Sequence, residues 1–94
     1  MIDVPPFIDG ARVLKVADIR GLTPTGRTRH WVDGRLVQDF SRLVIAQYDS
    51  SSQVYLFYCD AEWECISDTD HSEIAAAVLQ AEMEFGAVEF ADVW

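Results

Sequence analysis

The chain has no lysine or arginine after Arg42, so the 52 residues from Leu43 to Trp94 hold eleven carboxylates and only His71 as a basic side chain. Residues 1–42 hold all seven Lys and Arg against five acids, net +2, and the remainder is −11, which makes the chain's −9. Such a balance argues against a nucleic-acid partner, because phosphate binding needs a surplus of cations. It favours a protein partner with a basic surface. Cysteine is scarce as well: two residues cannot make a disulfide-stapled scaffold, and in an intracellular chain they are expected to be reduced. Long apolar runs are missing, stretches such as Ala75 to Leu79 falling far below the roughly 18–20 residues of a membrane-crossing helix. No membrane contact is therefore expected. The start, Met1 to Pro6, lacks the cationic and apolar parts of a secretory signal, so a cytoplasmic location is expected. No Gly-rich phosphate loop is present, and no cofactor is expected.

What is present is enough apolar surface to fold. Half the residues are hydrophobic and 12% are aromatic, above the range in which a charged chain stays disordered. Ninety-four residues suit a single domain over 1–94 with one modest core.

Residues 1–10, with Pro5, Pro6 and Gly10, read as an extended lead-in, since proline removes a backbone donor. Ala11 to Ile19 alternates loosely and is rich in β-branched residues, which predicts a strand. Gly21 to Gly26 is loop chemistry. Asp33-Gly34 lies between two short strand-like segments, the residues a two-residue hairpin turn requires. Arg42 to Tyr48, Val54 to Cys59 and Trp63 to Ser67 follow as three strands whose short links imply antiparallel neighbours.

A helix is expected over about 71–86. Asp70 or Thr69 can cap it, with Glu73 bonding back in a capping box, and Gly86 suits its end. Ile74, Ala77, Val78, Ala81 and Phe85 make one apolar stripe at helical spacing, the face laid on the sheet. Leu79 and Met83 point the opposite way and form a candidate dimer or partner strip. Residues 88–94 are expected to be a tail or a short strand. Together these elements predict an α+β domain, a four- to five-stranded antiparallel sheet with one C-terminal helix on one face.

The candidates for chemistry are weak. Cys59, Cys65 and His71 could in principle ligate zinc, but structural sites want four ligands with short Cys spacings, so no metal is expected. A catalytic cysteine needs positive charge to stabilise its thiolate, and this half of the chain offers carboxylates. His30 and His71 have no nucleophile in view, and no catalytic residue is assigned. Arg27, Arg29, His30, Trp31 and Arg35 mix cations with an aromatic and form a possible basic patch, in the manner of single-strand binders. The acidic candidates are Asp60, Glu62, Glu64, Asp68, Asp70 and Glu73, expected to form one face.

Three functional readings follow. The first is a non-enzymatic interaction module, of the immunity or inhibitor type, whose acidic face binds a basic partner. The alternative is a self-associating structural protein using Leu79 and Met83. The third is a small enzyme or weak nucleic-acid binder built on the Arg27 to Trp31 segment. No residue pattern is specific enough to name a family.

Overall fold

The computed structural model describes residues 4–37 and 39–93. Residues 1–3 of the expected lead-in and Trp94 of the expected tail lie outside them. The strands are β1 (Phe7–Ile8), β2 (Ala11–Asp18), β3 (His30–Val32), β4 (Arg35–Val37), β5 (Arg42–Gln47), β6 (Val54–Cys59) and β7 (Cys65–His71); helix α1 (Ile74–Phe85) and strand β8 (Ala91–Asp92) complete the order.

The α+β class is as expected, with more strands than the four or five anticipated. The main antiparallel sheet has six, in the order β1-β2-β5-β6-β7, with β8 also paired to β2. β3 and β4 form a separate two-stranded ribbon. The Asp33-Gly34 turn joins them with φ of 51° and 75°, the doubly positive pair that asparagine, aspartate and glycine tolerate best. Asp9-Gly10, with φ of 50° and 82°, makes a second such turn, pairing Ile8 with Ala11. The lead-in therefore carries a short strand that the same dipeptide signal announces. The tail contributes β8, whose Ala91 and Asp92 pair with Val16 and Lys15.

β5 and β6 are buried on both faces, which is why they read as near-continuous apolar runs. One face supports α1: Leu43, Ile45, Leu56 and Tyr58 pack with Ala77, Ala81 and Phe85 of the helix and with Phe40. Among the described residues the far face has no helix. Val13, Val44, Ala46, Phe57 and Cys59 are covered there by Ile8 and by partly buried side chains such as Val4, Tyr48, Trp63 and Val93. Each fully buried Leu or Ile contributes roughly 1.5–3 kcal/mol, so both faces matter.

The helix starts later than expected, at Ile74. Thr69, Asp70 and His71 extend β7, with His71 opposite Val54 and Asp70 opposite Tyr55. Ladder pairing with the central strand outcompetes the capping box, and Glu73 sits at the cap position in extended conformation with no side-chain cap bond. The far end is as expected, Gly86 N–H closing on Glu82 O at 2.8 Å.

Candidate functional site

Alternation along β7 separates two sets of side chains. Ser67, Thr69 and His71 oppose Tyr58, Leu56 and Val54 under the helix, whereas Asp68 and Asp70 oppose Phe57 and Tyr55 on the far face. β7 is the last strand of the sheet, so its ladder partners lie on one side only.

The β6–β7 turn extends the acidic set. Asp60 is half-buried and works locally: its carboxylate accepts the N–H groups of Glu62 (2.9 Å) and Glu64 (3.0 Å). Trp63 takes a left-handed conformation, φ 67°, which costs a non-glycine residue about 1–2 kcal/mol. The Arg42 guanidinium lies 4.4 Å from the Trp63 ring centroid, and its Nε donates to Ala61 O at 3.2 Å. Arg42, buried on β5, thus pins the turn and is spent on it. Glu62, Glu64, Asp68, Asp70 and Glu73 are all exposed. They run along the turn, the last strand and the helix start, of which the seven residues of β7 alone span roughly 20 Å.

Three of the seven cations have partners away from these five acids: Arg42 on the turn, and Lys15 and Arg20 in ion pairs. Among the described residues Lys15 pairs with Asp92 and Arg20 with Asp18, while His30 meets Glu84 through a hydrogen bond. None involves the five exposed acids. Hydrogen bonds from Arg20 hold Asp18 down to a pKa of about 2.

The basic segment divides. Arg27, Arg29 and Arg35 are exposed, and Trp31, 62% exposed, stands across the ribbon from Leu36. An open groove of about 420 Å³ runs along Val32, Asp33, Arg35, Leu36, Val37 and Asp39, so two carboxylates share it with Arg35. His30 leaves the patch altogether, because the alternation that exposes Trp31 turns its neighbour inward.

His30 instead enters a buried network centred on Glu84. Its Nε2 lies 2.7 Å from Glu84 Oε1 and its Nδ1 2.7 Å from Ser67 Oγ. Tyr58 O–H donates to Glu84 Oε2, as does Gln80 Nε2 at 2.9 Å. Gln80 also reaches Thr28 Oγ1 at 3.3 Å, and Thr69 Oγ1 lies 2.8 Å from His71 Nε2. With Glu84 as an acceptor at both oxygens, every partner is satisfied when His30 donates from Nε2 and Ser67 O–H donates to Nδ1. Burial, and then the bond to Glu84, push the Tyr58 hydroxyl well above the usual tyrosine range. Phe40 meets the His30 ring edge-on at 5.3 Å. The loop before the ribbon is tied to the same helix end, Thr25 N–H donating to Glu84 O at 2.7 Å and Thr25 O–H to Met83 O at 2.6 Å.

Glu84 is absent from the residues picked out by sequence, although a signal exists. It lies seven positions after Ala77 and three after Ala81, on the stripe that faces the sheet. A carboxylate there needs partners. Serine, histidine and glutamate in hydrogen-bonded succession superficially match a nucleophile, base and orienting acid. The recess beside them, lined by Pro24, Thr28, His30, Val37, Phe40, Glu84 and Phe85, has about 10 Å³ of free space, room for about one water.

The remaining candidates are also placed. Cys59 and Cys65 face away from the helix while His71 faces it, so the three do not converge. Among the described residues no three His, Cys, Asp or Glu side chains form a metal-ligand group, and no helix is long and apolar enough to cross a membrane. Leu79 is 66% exposed and Met83 half-buried, which narrows the helix strip to one prominent residue. No family model, curated protein or solved structure matches the chain.

Proposed function

We propose that the protein is a non-enzymatic interaction module that binds a basic protein surface along the outer edge of β7, as an immunity or inhibitor-type protein binds its target. The observation that carries this reading is the row of exposed acids, Glu62, Glu64, Asp68, Asp70 and Glu73, none of which takes part in an ion pair found among the described residues. Five such charges along the turn, the last strand and the helix start repel one another. A partner that supplies cations relieves that repulsion, speeds encounter and selects against acidic competitors. The recess beside His30, with about 10 Å³ of free space, has room for about one water, and this supports the non-enzymatic part.

The test is a pull-down from the source cells at low and moderate salt, with the wild type and a Glu62→Gln, Glu64→Gln, Asp68→Asn, Asp70→Asn variant. A basic protein is expected on the wild type at low salt, less of it at moderate salt, and none on the variant. Retention that ignores both salt and the four substitutions would remove the proposal, and elution of the protein as a dimer without other partners would favour self-association through Leu79.

A further inference from the structure

The two cysteines of the chain stand directly opposite each other, Cys59 on β6 and Cys65 on β7. Opposed residues of an antiparallel pair have Cα atoms about 4.5–5.5 Å apart, inside the roughly 4.4–6.8 Å that a disulfide spans. Both side chains lie on the far face, Cys65 packed against the cluster that contains Cys59. The Asp60 N–H to Glu64 O bond of 3.0 Å holds the strands together one residue beyond. On the other side Ile66 is an extra residue, Tyr58 pairing with Ser67.

Both are free thiols, and their settings differ: Cys59 is fully buried and Cys65 half-buried. Cys65 Sγ donates to Ser67 O at 3.3 Å; the facing Cys59 thiol lowers the pKa of Cys65, while that of Cys59 is raised by the same neighbour and by burial. Of the two sulfurs, the one that solvent can reach is therefore the one that gives up its proton more readily. The carboxylates of Asp9, Asp60 and Asp68 surround the pair and oppose an anionic oxidant, leaving a neutral hydroperoxide as the fitting reactant.

We propose that Cys59 and Cys65 are a hydroperoxide-reactive dithiol that closes reversibly to a disulfide between β6 and β7. The Cys65 thiolate attacks the peroxide; the O–O bond breaks, a sulfenic acid forms and hydroxide or alkoxide leaves. The Cys59 sulfur then attacks the sulfenic sulfur. The S–S bond forms, the S–O bond breaks, and the hydroxyl leaves as water with the Cys59 proton. Two electrons pass from the thiol pair to the peroxide, and a thiol reductant restores both cysteines. The site stands independently of the acidic-face reading.

The test uses the reduced full chain treated with hydrogen peroxide, alkylated and weighed by mass spectrometry. The wild type is expected to lose both thiols together and two hydrogens per chain, as a monomer, and to regain both thiols with dithiothreitol. Cys59→Ser is expected to keep a dimedone-reactive sulfenic acid at Cys65, and Cys65→Ser to leave Cys59 unreacted while folded. A wild type that leaves both thiols intact, that carries sulfinic acid on Cys65 with Cys59 still reduced, or that links two chains instead of two strands would overturn the proposal.

Discussion

The two faces of β7 carry similar polar side chains and use them in opposite ways. Under the helix, half-buried Ser67 bonds His30 beside Glu84 and Thr69 bonds His71; on the far face, Asp68 and Asp70 are left in solvent. The difference teaches that a carboxylate's role is set by what surrounds it. Glu84, 3% exposed, has lost its water and must be compensated by His30, Tyr58 and Gln80, so it constrains the loop, the ribbon and the sheet at once. The five exposed acids take part in no ion pair among the described residues.

The largest break of this contrast is Glu84→Ala. Removing one partner strands His30 and Tyr58 without an acceptor, and a loss of about 3–5 kcal/mol in unfolding free energy is expected from urea titration. A loss below about 1 kcal/mol would mean that water replaces the carboxylate and that the network does not hold the ribbon.

Asp18 lies between the extremes, an exposed acid with a partner. Its folded pKa of about 2 is below its ordinary 3.8 because of Arg20. A depressed acid contributes stability above its unfolded pKa and loses it as pH falls through the folded one. Asp18→Asn is therefore expected to be slightly less stable than wild type at neutral pH, and the gap to close between about pH 4 and 2. A gap that persists at pH 2 would trace the effect to something other than the ion pair.

The smallest effect belongs to Asp68→Asn with Asp70→Asn, expected to move unfolding free energy by less than about 0.5 kcal/mol. A larger loss would make these acids structural and blur the contrast between the faces.

Much of the fold was legible because it follows local rules. Asp33-Gly34 announced its hairpin, the apolar stripe from Ile74 to Phe85 announced the face of α1, and the apolar residues on both faces of Val54 to Cys59 announced β6 as an inner strand. The misreadings share a cause. Thr69, Asp70 and His71 look like a helix start, yet pairing with Val54 and Tyr55 of β6 keeps them in a strand. His30 looks like a member of an arginine patch, yet strand alternation turns it away from Trp31. Nor does the sequence show that three of the early cations are taken up locally, Arg42 by Trp63 and Ala61, and Lys15 and Arg20 by Asp92 and Asp18.

By itself the sequence determined the charge imbalance, the α+β class and the amphipathic helix, because composition and periodicity act through neighbours a few positions apart. Only the tertiary structure decided which carboxylate is buried, which are left unpaired, and that Cys59 meets Cys65 across two strands. Those outcomes depend on strand register and on desolvation, and both arise when segments distant in the chain pack together.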